Sequence, residues 1–165
     1  MKKRVIAAAL FAVALGAAPA SAAEGFDGVG IRGFANSAGK TAVLFGGEGT
    51  FYTSGPFYLG GAGSGGPVLS EPRSAFGYGG VMLGATDTLF GRSTYDLRLL
   101  VGGGGGAIGA DKAAGLVLEP SLALGLKLDE KSRVSLTAGY LYMPEDTAFS
   151  GATFGLRFNF AGSRR

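Results

Sequence analysis

The sequence contains no cysteine and no histidine. The first absence excludes disulfide bonds, which stabilise many small exported domains. The second excludes Ser-His-Asp and Cys-His nucleophile arrangements, the usual general base at neutral pH and most zinc sites. A carboxylate pair such as Glu48 and Glu119 has the chemistry for acid–base catalysis, but no local motif supports that role. We therefore expect a protein that is not an enzyme and that has no metal or cofactor.

Long apolar runs are also scarce, and the main one lies at the N-terminus. It follows three basic residues, Lys2, Lys3 and Arg4. The uncharged run over 5–18 is about 14 residues long, shorter than the ~20 that a membrane-spanning helix needs. Ala20-Ser21-Ala22 then has the form of a signal-peptidase site. Met1–Ala22 is thus predicted to be a cleaved, Sec-type signal peptide rather than a membrane anchor.

Removal of this leader changes the charge of the chain. The whole sequence has a formal net charge of +3, and the three cations of the leader account for it. The remaining chain from Ala23 to Arg165 is formally neutral, so the basic pI is no sign of a nucleic-acid partner. Its 143 residues are enough for one domain, expected over 23–160, with a short polar tail over 161–165.

The chain after the leader has apolar residues that recur with a period of two. Six leucines between Leu116 and Leu128 share one parity, and the other parity includes Glu119 and Lys127. A helix would scatter these leucines around its axis, whereas a strand places them on one face. Similar alternation recurs along the chain, and no helix is expected after the leader. Eight strands are predicted, over 26–35, 41–53, 56–66, 75–86, 93–106, 115–127, 132–143 and 150–160.

The predicted connections alternate in length. Turns are expected at one end over 53–55, 87–92 and 129–131, and loops at the other end over 36–40, 67–74, 107–114 and 143–149. Short turns at one end and longer loops at the other are typical of outer-membrane barrels. Aromatic residues near the strand ends predict two girdles at the membrane interfaces. The loop-side girdle would contain Phe76, Tyr78, Tyr140 and Tyr142, and the other Phe51, Tyr52, Phe57, Tyr58, Tyr95, Phe158 and Phe160.

The two faces of these strands favour a membrane barrel. One face holds large apolar side chains, which suit lipid, and the other holds mostly Gly, Ser, Ala and Thr, which suit a narrow interior. The predicted fold is therefore all-β: an up-and-down antiparallel transmembrane β-barrel of eight strands. Five side chains should then point outward from a closed sheet: Leu122, Leu124, Leu136, Leu156 and Phe158.

Polar residues on the inward parity are the candidate functional residues. They are Glu48, Asp96, Arg98, Glu119, Lys127, Arg133, Arg157 and Asn159. Charges buried in a small barrel must pair or lose much solvation free energy. An internal network of ion pairs and hydrogen bonds is expected, and a narrow path for ions or protons is the alternative.

Glycine is abundant, with 32 residues, many of them in clusters such as 102–106. Glycine-rich strands allow the sharp curvature that closes a small barrel. They also allow close approach of an acyl chain or a partner to the backbone. Both interpretations remain open at this stage.

The last predicted strand carries the most specific motif. Residues 153–160 read Thr-Phe-Gly-Leu-Arg-Phe-Asn-Phe, in which Thr153, Gly155, Phe158 and Phe160 fit the pattern polar-x-Gly-x-x-aromatic-x-aromatic. This resembles the signal by which the barrel assembly machinery recognises outer-membrane proteins. The chain resembles the small eight-stranded outer-membrane barrels of the OmpX type or of the OmpA membrane domain. The resemblance implies outer-membrane lipid and the assembly machinery as partners, although five residues follow Phe160 here.

Three functional hypotheses follow. The first is a non-enzymatic outer-membrane barrel with an envelope-structural, adhesion or narrow-passage role and an unknown extracellular partner. The second is a soluble periplasmic or secreted β-barrel that binds an apolar ligand inside. The third is a glycine-rich surface protein that self-assembles.

Overall fold

Eight antiparallel strands form a closed barrel in the computed structural model, which describes residues 26–161. The strands are β1 (Phe26–Ala35), β2 (Thr41–Ser54), β3 (Phe57–Pro67), β4 (Ala75–Phe90), β5 (Ser93–Ile108), β6 (Asp111–Lys127), β7 (Ser132–Leu141) and β8 (Gly151–Ala161). Each strand pairs with its neighbours in chain order, and β8 pairs with β1. The predicted eight-stranded up-and-down barrel is confirmed. The predicted leader and most of the polar tail lie outside the described residues.

The connections define two ends of the barrel. The turn end carries the connections 55–56, 91–92 and 128–131, and the loop end carries 36–40, 68–74, 109–110 and 142–150. At the turn end the Lys131 backbone N–H donates to Asp129 Oδ1 at 2.7 Å. This bond holds the pKa of the exposed Asp129 carboxyl below its usual value.

The predicted loop over 107–114 is wrong. β5 continues to Ile108 and β6 begins at Asp111, so Gly109 and Ala110 alone connect them. Gly109 has a φ of 64°, in the left-handed region that two-residue hairpins require and that glycine adopts without steric cost. Small residues without alternation hid the strand ends on both sides of this turn.

One 3₁₀ turn, Thr147–Phe149, corrects the expectation of no helix after the leader. It lies in the loop-end connection 142–150, where the Asp146 carboxylate accepts from the Ala148 backbone N–H at 2.9 Å. Asn36 Nδ2 donates to the Ala148 carbonyl at 2.8 Å and fastens this connection to the first loop. Within residues 26–161 no helix has the length and apolar character needed to cross a membrane.

The outward face of the barrel is apolar. The five side chains predicted to point outward do so, with exposures from 40% for Phe158 to 68% for Leu136. They are those of Leu122, Leu124, Leu136, Leu156 and Phe158. The same face carries further exposed apolar side chains, including Val29, Ile31, Phe45, Phe51, Phe57, Leu83, Leu97, Leu99, Leu116, Leu126, Phe154 and Phe160. The period of two seen in the sequence is therefore an outward apolar belt and not a common core.

The interior near the loop end is filled by an apolar cluster. It includes Phe34, Leu44, Val68, Phe76, Ile108, Leu141, Met143 and Phe149. The Phe76 ring packs edge-on against Phe34 at 5.0 Å and against Phe149 at 5.8 Å. The prediction of Phe76 and Tyr78 in an outer girdle is wrong, because both occupy inward positions of β4 and are buried. Tyr58, also predicted in a girdle, hydrogen-bonds inside the barrel to Asp96.

The clustered glycines fall into two groups. A Cβ built on Gly102 would lie 2.0 Å from the Gly79 carbonyl oxygen, and one on Gly80 would lie 2.3 Å from that of Val101. The tight curvature of β4 and β5 therefore requires glycine at these positions. A Cβ on Gly63 would meet no heavy atom closer than 3.5 Å. Packing within the barrel does not require glycine there.

Candidate functional site in the barrel interior

The interior near the turn end is polar, and Glu48 of β2 lies at its centre. Its carboxylate accepts a hydrogen bond from Arg98 Nη1 of β5 at 2.5 Å and one from Asn159 Nδ2 of β8 at 2.7 Å. Arg157 Nη1 of β8 lies 3.3 Å from Glu48 Oε1. Arg98 lies on β5, and the other two donors lie on β8. The Glu48 carboxylate therefore connects distant parts of the chain.

Asp96 of β5 is the second acid of this region. Tyr58 donates to Asp96 Oδ1 at 2.6 Å, and Arg157 Nη2 donates to Asp96 Oδ2. Arg133 Nη2 lies 3.9 Å from the same oxygen, while Arg133 Nη1 donates to Thr86 Oγ1 at 2.9 Å. Arg157 thus binds both acids, and it joins the partners of Glu48 and Asp96 into one network.

A second ion pair lies between this network and the apolar cluster. Arg32 Nη1 of β1 lies 3.0 Å from both carboxylate oxygens of Glu119 of β6, and it also donates to Tyr78 at 3.3 Å. Thr153 Oγ1 of β8 donates to Glu119 Oε1 at 2.9 Å. Glu119 is fully buried. A carboxylate in this position needs these partners, because an isolated buried charge is strongly destabilising.

The structure brings seven of the eight sequence-predicted residues into the interior. They are Glu48, Asp96, Arg98, Glu119, Arg133, Arg157 and Asn159. Lys127 is the exception. It has the inward parity but is the last residue of β6, so its exposed side chain leaves the lumen at the turn end and donates to Thr88 Oγ1 at 3.1 Å.

Arg32, Tyr58 and Tyr78 form interior hydrogen bonds but were not identified as interior residues from the sequence. β1 and β3 are rich in glycine and have weak alternation, so the inward parity of Arg32 and Tyr58 was hard to assign. The sequence did contain evidence for the inward position of Arg32. It is the single cation of its strand, and an outward position would place its charge in lipid at a high cost in free energy.

A cavity of about 130 Å³ opens into the polar region. Its lining includes Thr53, Tyr58, Thr86, Asp96, Arg133 and Asn159, which places it at the turn end. The Arg32–Glu119 pair and the apolar cluster lie between this cavity and the loop end. Within residues 26–161, no group of three or more His, Cys, Asp and Glu side chains has the arrangement of a metal site.

The residues of the predicted assembly signal fall on both faces of β8. Phe158 and Phe160 point outward, and their ring centroids are 6.2 Å apart. Thr153 is buried and bound to Glu119. Gly155 also has an inward position, and a Cβ built on it would lie 2.1 Å from the Ile31 carbonyl oxygen and 2.8 Å from Arg32 Cα.

Comparison with solved structures places this architecture among known barrels. The crystal structure of Neisserial surface protein A (NspA) matches with a TM-score of 0.58 at 7% sequence identity, covering 84% of this chain and 96% of NspA. The chain has the fold of the small eight-stranded outer-membrane β-barrels. Ail, the attachment invasion locus protein of Yersinia pestis, matches with a TM-score of 0.56 at 11% identity, covering 83% of this chain and 95% of Ail. Ail in complex with the heparin analogue sucrose octasulfate matches with a TM-score of 0.55 at 13% identity and the same coverage. No protein-family model and no curated protein matches the sequence.

Proposed function

We propose that the protein is a non-enzymatic outer-membrane β-barrel with a closed lumen, which contributes to the structure and the outer surface of the cell envelope. The outward apolar belt carries this proposal. In water, a belt of exposed Leu, Phe, Ile and Val around a whole barrel would drive aggregation, since soluble monomers rarely expose large contiguous apolar patches. In a bilayer the same belt is the required surface.

The dimensions of the barrel agree with this location. The eight strands have 10 to 17 residues, and a tilted transmembrane strand needs about 9–11. Closure of the sheet leaves no strand edge unpaired within the described barrel, as the absence of water in lipid demands. The same closure speaks against self-assembly through free strand edges.

The filled interior favours a structural or adhesive role over a passage. Ion pairs fill the polar half, and aromatic and aliphatic side chains fill the half near the loop end. A soluble carrier of an apolar ligand would need an apolar pocket of about 300–1,000 Å³. The interior cavity of about 130 Å³ is too small for that use and is lined partly by charges.

Two further parts of the proposal concern biogenesis and partners. The predicted leader directs the chain to Sec-type export, and the barrel assembly machinery recognises the motif of β8. Outer-membrane lipid surrounds the belt. An extracellular partner would bind the loop-end connections, which are longer than those at the turn end except for the turn 109–110. These connections are 36–40, 68–74 and 142–150.

Cell fractionation tests the location. Envelopes from cells that express the full chain are washed with urea or carbonate, and the pellet is run on SDS gels with and without boiling. We expect the protein in the washed pellet, with faster migration when unboiled because the barrel resists SDS. Recovery in the soluble fraction without a heat-modifiable band would overturn the outer-membrane proposal.

Conductance in planar bilayers tests the closed lumen. The purified barrel should give no steady channel current in salt solution, and a water-filled porin serves as the positive control. A stable, reproducible current through the unmodified protein would show a passage and contradict the structural role.

A further inference from the structure

The seam between β1 and β8 differs from the other strand pairs. In every other pair of the barrel, a connection of two to nine residues joins the strands. Short connections constrain the register of a hairpin. β1 and β8 lie at opposite ends of the chain, so the seam needs another determinant of register.

The outward apolar belt opposes some wrong registers of β8 against β1 but not others. A slip of one residue would turn every side chain of β8 to the other face, and the apolar belt opposes it. A slip of two residues keeps each side chain on its face and displaces β8 by about 7 Å along β1. Such a slip also changes the stagger of the closed sheet, to which the barrel diameter is linked. The inward residues must therefore discriminate between registers two residues apart.

The inward faces of β1 and β8 have complementary sizes. Gly28 pairs with Asn159, Gly30 with Arg157, and Gly155 with Arg32. In each pair a large polar side chain lies opposite a glycine. A Cβ on Gly28 would lie 2.4 Å from Asn159 Nδ2, and one on Gly155 would overlap the backbone of Ile31 and Arg32.

The same side chains of β8 are held from across the lumen. Arg157 binds Glu48 and Asp96, and Asn159 Nδ2 donates to Glu48 Oε1 at 2.7 Å. The two acids lie on β2 and β5, whose registers are constrained by hairpins. A 7 Å displacement of β8 would break all of these contacts, since a hydrogen bond tolerates only a few tenths of an ångström.

We propose that these inward residues form a register key that selects the native closure of the barrel. The key consists of Gly28, Gly30 and Arg32 on β1 with Gly155, Arg157 and Asn159 on β8. A two-residue slip in one direction would place Arg157 opposite Arg32, two like charges in the interior. The slip in the other direction would place Thr153 opposite Arg32 and withdraw Arg157 from its acids. Gly155 thereby has a role within the folded chain that its place in the assembly motif does not require.

Disulfide trapping reads the register directly, because the full chain has no cysteine of its own. Ile31 and Leu156 are paired and exposed, so Ile31→Cys with Leu156→Cys reports the native register. Ile31→Cys with Phe158→Cys, or with Phe154→Cys, reports the two slipped registers. Diagonal neighbours lie about 7–8 Å apart, near or beyond the reach of a disulfide, so each pair favours one register.

The test compares these cysteine pairs in three backgrounds, scored in the folded, heat-modifiable fraction. The parent should cross-link through the native pair. Arg157→Ala should raise a slipped cross-link by roughly tenfold, since the native register then loses the ion pairs with Glu48 and Asp96 that slipped registers cannot form. Arg98→Ala is the matched control: it also removes a cation from Glu48, but from a strand whose register hairpins constrain. It should leave the native pair dominant.

Asn159→Ala tests the register of the seam if Arg157→Ala gives no folded barrel. This milder variant should raise a slipped cross-link by roughly threefold, in line with the modest net loss of a single hydrogen bond. Parent-like cross-linking in every folded variant of Arg157 and Asn159 would overturn the register key. Equal slippage in Arg98→Ala would also overturn it, because the network would then stabilise the barrel without selecting the seam.

Discussion

Arg32 Nη1 of β1 lies 3.0 Å from both carboxylate oxygens of Glu119 of β6, in the middle of the barrel interior. This pair joins the polar region to the apolar cluster. Glu119 also accepts from Thr153 of β8, so one carboxylate connects β1, β6 and β8. The loss of its charge should therefore affect the whole barrel.

The first prediction concerns that charge. Glu119→Gln should lower the free energy of unfolding by about 3–5 kcal/mol, because Arg32 would remain buried without its counter-ion. Urea unfolding in lipid vesicles measures the effect. Replacement of both partners, Arg32→Met with Glu119→Met, should recover most of the loss. Lys40→Ala, in the half-exposed Lys40–Glu71 pair, is the control and should cost about 0–1 kcal/mol. An equal loss of unfolding free energy in Glu119→Gln and Lys40→Ala would contradict a larger contribution from the buried pair.

The second prediction concerns the outward belt. Leu136 lies near the middle of β7 and is 68% exposed. Leu136→Arg should destabilise the barrel in vesicles by about 2–4 kcal/mol, since this charge would lie near the bilayer midplane. Leu128→Arg at the turn end should cost only about 0–1 kcal/mol because its charge reaches the interface. Equal and small effects would show that the belt does not contact the hydrocarbon core.

The third prediction separates the two groups of glycines. Gly102→Ala should destabilise the barrel by more than about 1 kcal/mol, because the new Cβ would overlap the Gly79 carbonyl of the neighbouring strand. Gly63→Ala should be neutral or stabilising by about 0.5–1 kcal/mol, since its Cβ has room and alanine reduces the entropy of the unfolded chain. Unfolding midpoints of the two variants make the comparison. The reverse order would refute the division into crowded and uncrowded positions.

The fourth prediction concerns the apolar cluster near the loop end. Phe149→Ala should cost about 3–5 kcal/mol, as expected for a large aromatic residue that is fully buried. Phe149→Leu should retain most of the stability because it keeps most of the buried volume. A negligible loss in Phe149→Ala would mean that the connection 142–150 does not pack into the barrel mouth as described.

The alternating leucines of β6 and the alternation of β7 and β8 were sufficient to predict these strands and their faces, and the even number of strands with one apolar face predicted the closed barrel. The period of two survives because lipid outside and a narrow lumen inside demand different side chains at successive positions. The two-residue β5–β6 turn was missed because small residues dominate 102–115 and hide the alternation, and only the backbone conformation of Gly109 reveals the tight turn.

The interior was predicted less completely than the belt. Parity identified the inward position of Glu48, Asp96 and Arg157, but it could not show which acid binds which cation across the lumen. That pairing depends on the stagger of strands far apart in the chain. Parity also failed at Lys127, because the end of a strand frees a long side chain to reach solvent.

Lipid contact of the outward face shows whether the barrel is embedded in a membrane. A fluorophore attached at Leu136→Cys, in a chain without other cysteines, is reconstituted in vesicles whose lipids carry a quencher on the acyl chain. A fluorophore at Leu69→Cys, in the connection 68–74, is the control. For a membrane-embedded barrel we expect strong quenching by the lipid at position 136 and protection there from aqueous iodide, with the reverse at position 69. Efficient iodide quenching and no lipid quenching at position 136 would contradict a membrane-embedded barrel.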